Sequence, residues 1–545
     1  MGTTTETCDA VIVGAGFAGL YAIKRLRDAG FKIQAFEAGD GIGGTWYWNQ
    51  YPGARVDLEC WDYSYSFSRE LQDEWDWTER YPTARELMHY LEHVADRFKL
   101  REHIRFNTRV DSAEFDENAD MWRIRTSDGK TVAARFFVPA SGVLSVPKPP
   151  EIAGIETFKG EAYHTGRWPK HDVKFEGKRI GVIGTGSSGV QTIQALAGKC
   201  KHLTVFQRTA VFVVPAKNHA LTPAMRERVR ATYAERREIS KITRFGIAAA
   251  MPSESALDAT PEEMQMKYEN AWTNSQLLGF RQCYADILSN DDANATVAEF
   301  IRGKIRKIVH KPHVAQKLLP TGFPFGTKRP CLGDTYYSVY NRDDVTLVDL
   351  KTAPIERVVP EGIVTAEGLI ELDMLIYATG YDALSGALTR IDVRGVGGAR
   401  LTDKWADGAR TYLGLMVASF PNLFTVTGPG SPGPLANMSM SIEQHIDWIT
   451  RCMEDMRKNG WTRIDTSSDQ EDKWMQGVQD IVKRTLYLKA DSWYLGANVP
   501  GKPKVFLPYL GGHGNYRKKC DEVAAAGYEG FTLSKTKQAK TAGAT

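Results

Sequence analysis

Short apolar runs, each followed by glycines and then by an amphipathic segment, give the N-terminal part of the chain its pattern. Residues 10–13 form a continuous apolar run, which is typical of a strand buried in a parallel sheet. Leu20, Ile23 and Leu26 follow at the spacing of one helix face, and residues 32–36 are predicted to form a second strand. This order predicts a strand, a helix and a second strand, the βαβ unit of an α/β fold.

Glycines mark the turn between the first strand and its helix. Gly14, Gly16 and Gly19 have G-x-G-x-x-G spacing, in which the first permits a tight turn, the second lets backbone approach a pyrophosphate, and the third lets helix and strand pack closely. Glu37 closes the second strand, where a carboxylate accepts a hydrogen bond from a ribose 2′-hydroxyl. We predict a dinucleotide site here. The alternative is a glycine-rich turn that binds nothing.

The same pattern recurs further along the chain. A strand at residues 179–183 precedes a second G-x-G-x-x-G, and a helix and a strand at residues 203–206 follow it. This copy ends in Gln207 and Arg208, and an arginine there pairs with a 2′-phosphate that a carboxylate would repel. We predict NADPH at this site, although Arg208 alone is also compatible with a solvated surface charge. The residues predicted to bind it are Gly184, Thr185, Gly186, Ser187, Ser188, Gly189, Gln191 and Arg208.

Two different dinucleotides in one chain imply that electrons pass between them, and the usual pair is NADPH and FAD. Residues 372–377, followed by Ala-Thr-Gly, resemble the strand and turn that return the chain to the flavin in two-dinucleotide flavoproteins. Residues 136–145 form a matching half-copy at the end of the first unit. The sequence therefore predicts an α/β protein with two Rossmann-like domains, one for FAD and one for NADPH.

The βαβ pattern lapses between the two halves of the second unit. Thr222-Pro223 and Thr260-Pro261 are typical helix starts, so we predict a helical insertion in the NADPH domain. Residues 146–154 are proline-rich and indicate a linker. The predicted parts are the FAD domain at residues 1–146 and 380–545, the NADPH domain at 147–215 and 326–379, and the insertion at 216–325.

Two local patterns add smaller predictions. Thr83 and Glu86 have capping-box spacing ahead of a helix in the FAD domain. The face of that helix is formed by Leu87, Tyr90, Leu91, Val94 and Phe98. Residues 533–545 are small, polar and basic, and we expect this tail to fray.

Composition excludes several classes of protein. The net charge of +3 is spread over the 545 residues, which speaks against a nucleic-acid partner. No apolar run reaches the roughly 18 residues that span a bilayer, so we expect no membrane association. The seven cysteines form no C-x-x-C pair, which leaves a metal site and a disulfide reductase unsupported. Reduced thiols in the cytoplasm are the expectation.

Residues 43–57, GGTWYWNQYPGARVD, have neither helical nor strand periodicity. They match the first fingerprint of the type I Baeyer–Villiger monooxygenases: Gly-Gly-x-Trp, four residues, Tyr-Pro-Gly, three residues, Asp. Residues 158–169, FKGEAYHTGRWP, match the second: Phe-x-Gly-x-x-x-His-x-x-x-Trp-Pro. With both fingerprints in order and both dinucleotide motifs beside them, the chain resembles this family over roughly residues 8–530.

The resemblance implies an FAD- and NADPH-dependent enzyme that uses O₂ to insert one oxygen beside a ketone carbonyl, giving an ester or lactone. A flavin C4a-peroxide anion is the implied intermediate. The guanidinium of Arg329 would hold that anion without supplying a proton, and Asp57 would orient Arg329. Lys328 is implied to hold the 2′-phosphate. Without the family context, Arg329 reads as a surface residue.

Further residues take roles from the resemblance. The implied FAD contacts are Gly14, Gly16, Gly19, Glu37, Gly44, Thr45, Trp46, Asp57, Tyr63 and Val110. Lys328, Arg329 and Trp493 are implied NADP contacts. Pro434 and Leu435 are the candidates for substrate contact, and His164 is interpreted as a hinge residue between the domains. Ordinary packing is the alternative for Tyr63 and Trp493, and a satisfied linker histidine is the alternative for His164.

Two other functions stay open at this point. A flavin monooxygenase acting on nitrogen or sulfur shares both glycine motifs. A non-oxygenating redox flavoprotein binds both nucleotides, but it is expected to lack Arg329 or Asp57, and both are present. The sequence does not indicate which ketone is oxidised, and it is compatible with a monomer.

Overall fold

The computed structural model describes residues 6–274 and 278–535. Its strands are β1 (Glu6–Val13), β2 (Ile33–Phe36), β3 (Ile104–Arg105), β4 (Val110–Asp116), β5 (Met121–Thr126), β6 (Thr131–Pro139), β7 (Glu161–His164), β8 (Arg179–Ile183), β9 (His202–Gln207), β10 (Val213–Val214), β11 (Cys331–Leu332), β12 (Val345–Asp349), β13 (Ile355–Val359), β14 (Gly362–Thr365), β15 (Gly368–Glu371), β16 (Met374–Tyr377), β17 (Asp392–Arg394), β18 (Arg463–Thr466) and β19 (Phe531–Ser534).

The α-helices are α1 (Phe17–Asp28), α2 (Thr45–Trp48), α3 (Arg69–Glu74), α4 (Ala84–Arg97), α5 (Ser187–Leu196), α6 (Pro223–Ile242), α7 (Pro261–Thr273), α8 (Asp291–Ile308), α9 (Pro312–Leu318), α10 (Gly386–Thr389), α11 (Leu401–Lys404), α12 (Met438–Asn459), α13 (Ser468–Val482) and α14 (His513–Ala525). None of the helices in the described ranges combines the length and the apolar character needed to cross a bilayer.

The first large sheet contains the N-terminal βαβ unit. Its strand order is β17-β4-β5-β6-β1-β2-β3, with β1 parallel to both β2 and β6. Helix α1 connects β1 to β2 and packs against α12. Leu20, Ile23 and Leu26 lie on the buried side of α1. The predicted strand–helix–strand order is confirmed.

The second large sheet is parallel throughout, in the order β12-β9-β8-β16-β7. Its central strands are buried on both faces, which is why they read as continuous apolar runs: Val182 and Val205 are buried in one hydrophobic cluster, and the adjacent Ile183 and Phe206 are buried in another. The predicted return strands are β6 and β16, and each pairs with the first strand of its own βαβ unit. The α/β class with two Rossmann-type sheets is confirmed.

Helices α6 to α9 separate β10 from β11, in the segment where the βαβ pattern lapses. Both predicted helix starts are confirmed. The hydroxyls of Thr222 and Thr260 accept hydrogen bonds from the first turns of α6 and α7, and a proline stands at the first position of each helix. The exact domain boundaries stay predictions.

Residues 43–57 lack a period, and their one α-helix, α2, is too short to show one. Two local predictions are wrong in detail. The Thr83 hydroxyl does cap α4, but the Glu86 carboxylate binds the backbone and hydroxyl of Thr78 instead, so the capping box is only half formed. Leu533 and Ser534, assigned to a frayed tail, pair in β19 with β18, while residues 536–545 lie outside the described residues.

Candidate active site

The first glycine loop is packed too closely for any side chain. A Cβ on Gly14, whose φ is +102°, would lie 2.7 Å from the carbonyl oxygen of Ala140 at the end of β6. A Cβ on Gly19 would lie 1.8 Å from the Gly14 oxygen. Gly16 faces Gly44, whose φ is +53° and whose own Cβ would lie 2.8 Å from the Gly16 Cα. The backbone is therefore bare at the N-terminus of α1, as pyrophosphate binding requires.

Glu37 lies beside this loop with its carboxylate buried. One oxygen accepts from the Ala15 amide and the other from the Gly39 amide, both at 2.8 Å. Burial raises the pKa of Glu37, and these backbone hydrogen bonds oppose that rise. Each oxygen keeps a further lone pair, so the carboxylate fits the two hydroxyls of a ribose.

The second glycine loop repeats the geometry of the first. Gly184 has φ +108°, and its Cβ would lie 2.4 Å from the Ala378 oxygen, just after β16. A Cβ on Gly189 would lie 2.1 Å from the Gly184 oxygen. Gly186 has open space where its Cβ would be, so a ligand can reach its backbone. The two half-copies thus contribute equivalent alanines, Ala140 and Ala378, to equivalent turns.

The polar residues of the second loop also bind the protein itself. Thr185 donates to the Thr209 oxygen at 3.0 Å, and the Ser188 hydroxyl accepts from Thr165 at 3.4 Å. Ser187 contacts the Cys331 thiol at 3.6 Å. Gln191 accepts from the Tyr51 hydroxyl at 2.8 Å. The Gln191 contact connects α5 to the first fingerprint segment, so Gln191 has a structural role.

Two cations stand together beyond the end of β9. Arg208 is exposed, and Lys328 is half-buried with its ammonium 4.7 Å from the centroid of the Phe323 ring. The pKa of Lys328 is lowered by burial and then by the charge of Arg208, while Asp491 opposes the shift. Within the described residues neither cation forms an ion pair. Two neighbouring positive charges without a carboxylate partner fit a dianionic 2′-phosphate.

The two fingerprint segments contact each other. The Trp168 amide donates to the Trp48 oxygen at 3.3 Å, and the guanidinium of Arg167 stacks over the Trp48 ring at 4.4 Å. The ammonium of Lys170 lies 3.3 Å from the centroid of the Tyr47 ring and donates to the Tyr47 oxygen. The aromatic residues of the first fingerprint are thus the surface on which the second one docks.

Asp57 holds Arg329 in a bidentate ion pair. Arg329 Nε donates to one carboxylate oxygen at 2.6 Å and Nη2 to the other at 2.8 Å, while Nη1 donates to the Pro434 oxygen at 2.9 Å. Burial alone lowers the pKa of Arg329, but the charge and hydrogen bonds of Asp57 outweigh it and raise that pKa above its ordinary value. The predicted catalytic pair is brought together from positions far apart in the chain.

A pocket opens beside this pair, and most of its wall is apolar. Its lining comprises Leu58, Phe245, Ile247, Leu278, Arg281, Arg329, Pro330, Pro434, Leu435, Ala436 and Asn437. The structure therefore brings the two substrate candidates, Pro434 and Leu435, to Arg329. The residues from 245 to 281 were missed in the sequence because they belong to the helical segment, which carries no motif.

Tyr494 is a further residue at this place that the sequence did not indicate. It is fully buried, and its hydroxyl lies beside the Arg329 guanidinium. Burial raises the pKa of Tyr494 to about 12, against the charges of Arg329 and Arg281. Trp493, the predicted NADP contact, packs on the Tyr494 ring with centroids 4.4 Å apart and does not line the pocket.

The remaining FAD candidates lie in α2, beside α1 and at the start of β4. Trp46 in α2 is buried and donates through its indole nitrogen to the Tyr63 hydroxyl at 3.3 Å, so these two residues lie together beside Phe17 of α1. Thr45 is the first residue of α2. The Val110 side chain is buried in the core of the first large sheet, at the start of β4. Any contact of these residues with a cofactor stays a prediction.

His164 ends β7, close to both segments that connect the two large sheets. Its Nδ1 accepts from the Gly166 amide at 2.9 Å, so the proton is on Nε2, which lies 3.1 Å from the Lys148 oxygen and 3.1 Å from Thr379 Oγ1. The pKa of His164 is lowered by burial, which keeps the ring neutral. Its partners lie one in each connecting segment.

Comparisons with known proteins agree with this geometry. A family model described as flavin-binding monooxygenase-like matches residues 8–224. A Baeyer–Villiger monooxygenase from Pseudooceanicola batsensis is 40% identical over 533 residues, covering 97% of this chain and 96% of the relative. A phenazine N-monooxygenase from Lysobacter antibioticus is 40% identical over 530 residues, covering 96% of this chain and 97% of the relative.

Among solved structures, a steroid monooxygenase bound to NADP superposes with a TM-score of 0.93 at 45% identity, covering 97% of this chain and 100% of that one. The likeness thus extends over nearly the whole length, including both glycine loops and both fingerprints. The chain therefore belongs to the Baeyer–Villiger monooxygenases.

Proposed function

We propose that this protein binds FAD and uses NADPH and O₂ to convert a ketone to an ester or a lactone. One oxygen atom enters the carbon–carbon bond beside the carbonyl, the other leaves as water, and NADPH with a proton supplies the two electrons. When bound, FAD supplies the chemistry that accepts a hydride from NADPH and activates O₂. The observation that carries the proposal is the Arg329–Asp57 pair in the wall of an apolar pocket.

The bare glycine loops support the two cofactor assignments. The residues proposed to hold FAD are Gly14, Gly16, Gly19, Glu37, Gly44, Thr45, Trp46, Asp57, Tyr63 and Val110. Those proposed to hold NADPH are Gly184, Thr185, Gly186, Ser187, Ser188, Gly189, Gln191, Arg208, Lys328, Arg329 and Trp493. The first loop lies beside a carboxylate and the second beside two cations, so each fits a different nucleotide.

Arg329 is proposed to stabilise negative charge on the reacting oxygen. A guanidinium has five N–H donors, and three of them are engaged by Asp57 and Pro434. The two that remain, one on each Nη, can donate to an anion. Because a guanidinium stays charged, it holds the anion without protonating it, which favours attack on the ketone over loss of hydrogen peroxide.

The experiment that tests this function is oxidation of a ketone panel under ¹⁸O₂. The FAD-loaded enzyme is given NADPH with cyclic, aryl, linear and steroidal ketones, and products are identified by mass. We expect at least one ester or lactone that carries a single ¹⁸O atom and forms in proportion to the NADPH consumed. NADPH oxidation that yields only hydrogen peroxide with every ketone would reject the proposal.

Oxygenation of nitrogen is the second candidate, and the phenazine N-monooxygenase relative is the observation that favours it. That relative shows that 40% identity does not separate a carbonyl carbon from a ring nitrogen as the atom attacked. The same assay therefore includes N-heteroaromatic compounds and thioethers. A kcat/KM for an N-oxide that exceeds every ketone value would make nitrogen oxygenation the primary activity.

Assembly state and location are proposals of their own. We infer a monomer in the cytoplasm, a compartment where the seven cysteines stay reduced. Size-exclusion chromatography with light scattering of the FAD-loaded protein measures the mass directly. A species at twice the 60.8 kDa of one chain would reject the monomer.

A further inference from the structure

The pocket beside Arg329 has a second cation in its wall, Arg281. This residue lies between α7 and α8 and is only 8% exposed. Its Nη2 donates to the Gly326 oxygen at 2.7 Å, while within the described residues its Nε has no hydrogen-bond partner. No ion pair joins it to a carboxylate in that same part of the chain. Burying a guanidinium without a counter-charge lowers the stability of the folded protein, because the charge loses its hydration.

Arg237, the other buried arginine of the described residues, makes no ion pair there either, but two buried carboxyl groups act on its surroundings. It is 5% exposed and donates to the Ser64 hydroxyl at 2.8 Å and to the Ser64 oxygen at 3.1 Å. Burial raises the pKa of two buried carboxyls: Arg236 and then Arg237 oppose this rise in Asp62, and Arg237 opposes it in Glu443. Arg281, which likewise forms no ion pair with an acidic group within the described residues, differs because it lines the pocket.

The charges around the pocket do not cancel. Arg329 is neutralised by Asp57, which leaves Arg281 as the uncompensated charge among the lining residues. Arg281 and Arg329 line the same pocket, so both guanidinium groups border one space. Between them the walls are apolar, formed by Leu58, Phe245, Ile247, Leu278 and Leu435. The pocket thus suits a molecule with an alkyl body and one anionic end.

We propose that the preferred substrate is a ketone that carries a carboxylate, bound with the carboxylate on Arg281 and the carbonyl towards Arg329. The planar guanidinium matches a carboxylate in shape and charge. The carboxylate is not consumed: the reaction inserts oxygen beside the carbonyl, and NADPH and O₂ are used as above. This assignment rests on the proposed function and names the substrate class for it.

The test compares two matched series with the FAD-loaded enzyme. One series is the straight-chain methyl-ketone acids CH₃CO(CH₂)ₙCO₂⁻, with several chain lengths, and the other is the 2-alkanones of the same carbon number. We expect kcat/KM for the best oxo acid to exceed that of its alkanone about 100-fold. Arg281→Met should remove this preference by lowering the oxo-acid value, while the alkanone value stays equal or rises. Arg281→Lys should retain part of it.

Lys307→Met is the matched control, because Lys307 is an exposed cation on α8 outside the pocket lining. It should leave both series unchanged. A purely structural Arg281 predicts equal losses in both series for Arg281→Met, and that result would overturn the proposal. So would equal kcat/KM values for acids and alkanones in the unaltered enzyme, a comparison that stands even if Arg281→Met does not fold.

A binding measurement separates this inference from the proposed function. Isothermal titration of straight-chain alkanoates into the FAD-loaded protein needs no turnover. Arg281→Met should weaken alkanoate binding about 100-fold relative to the unaltered protein and to Lys307→Met. Unchanged binding would overturn the proposal. If alkanoates bind through Arg281 but no ketone of either series is oxidised, the proposed function fails and the anion site stands.

Discussion

Arg329 is the side chain on which oxygen transfer should depend most. Electron supply needs only cofactors in register, whereas the insertion step needs a fixed positive charge. We expect Arg329→Ala to keep FAD and still consume NADPH, but to lower ester formation by about 10²–10³. The consumed NADPH should appear as hydrogen peroxide. Product analysis and peroxide assay on the same reaction measure both outcomes.

Asp57→Ala should have the same kind of effect as Arg329→Ala, but a smaller one. The guanidinium stays charged but loses the two hydrogen bonds that orient it, so ester yield should fall less than with Arg329→Ala. If Arg329→Ala still forms ester at near the original yield, the cation that stabilises the reacting oxygen must be another residue.

Coenzyme choice should rest on Arg208 and Lys328. We expect Arg208→Ala to raise the KM for NADPH by about tenfold or more, because one charge-assisted contact to the 2′-phosphate is worth about 1.5–3 kcal/mol. The KM for NADH should barely change. Lys199→Ala removes an exposed cation at the other end of β9 and serves as the control. Equal losses with both coenzymes would show that Arg208 does not read the phosphate.

The sequence predicted some of these residues and not others for a physical reason. Glu37 and Arg208 are placed by the βαβ unit itself, because each directly follows a strand that ends beside a predicted nucleotide site. Asp57 and Arg329 lie 272 positions apart, and only the family fingerprint joined them. Arg281 belongs to neither a βαβ unit nor a fingerprint. Its proposed role depends on the residues that surround it in the folded pocket, and the sequence does not show these.

At the scale of elements, the contact between a helix and its strand limits what the glycine loops tolerate. A Cβ at Gly189 would overlap the Gly184 oxygen, whereas one at Gly186 meets nothing within 4 Å. Gly189→Ala should therefore destabilise the protein by about 1–3 kcal/mol, because α5 must move away from β8. Gly186→Ala should keep stability within about 0.5 kcal/mol and raise the KM for NADPH.

Thermal unfolding with and without NADP⁺ distinguishes the two substitutions. Equal melting temperatures for Gly186→Ala and Gly189→Ala would contradict the packing argument. The pair is matched, since both change one glycine of the same loop to alanine.

Elements were predictable where burial imposes a pattern. The strands β1, β8 and β16 read as apolar runs because parallel strands are covered on both faces. Helix α2 and strand β19 were missed, and both are four residues long. Their structure is set by what they pack against, namely α4 and the second fingerprint for α2, and strand β18 for β19.

At the scale of the whole molecule, the two large sheets are joined where the fingerprints meet. His164 binds the Lys148 oxygen in one connecting segment and Thr379 in the other, and Trp168 reaches back to Trp48. The fingerprint residues are therefore explained as a joint between nucleotide domains, which is where a hydride must cross. These contacts join segments that are far apart in the chain. The sequence therefore indicated them only through the family fingerprints.

At acid pH, protonation of His513 should lower the free energy of unfolding of the whole protein. This residue is fully buried, and within the described residues neither ring nitrogen has a hydrogen-bond partner. Burial, followed by the charge of Arg517, lowers the pKa of His513 to about 4. The unfolded chain takes up a proton near pH 6.5. The native state does so only near the lowered pKa, so the stabilisation is present above about pH 6.5 and is lost as pH falls towards 4.

His513→Leu should remove this contribution to the pH dependence of stability. Between pH 7.5 and 4.5 the unaltered protein should lose about 2–3 kcal/mol more than the variant, since the unfolded histidine is protonated over about two pH units of that range. For a chain of 545 residues this corresponds to a difference of about 2–3 °C in the change of melting temperature. Differential scanning calorimetry across that range measures it, with His313→Leu, an exposed histidine in α9, as the control. Parallel curves for the unaltered protein and His513→Leu would mean that His513 is protonated at the same pH in the native and unfolded states, and its burial would then not contribute to acid sensitivity.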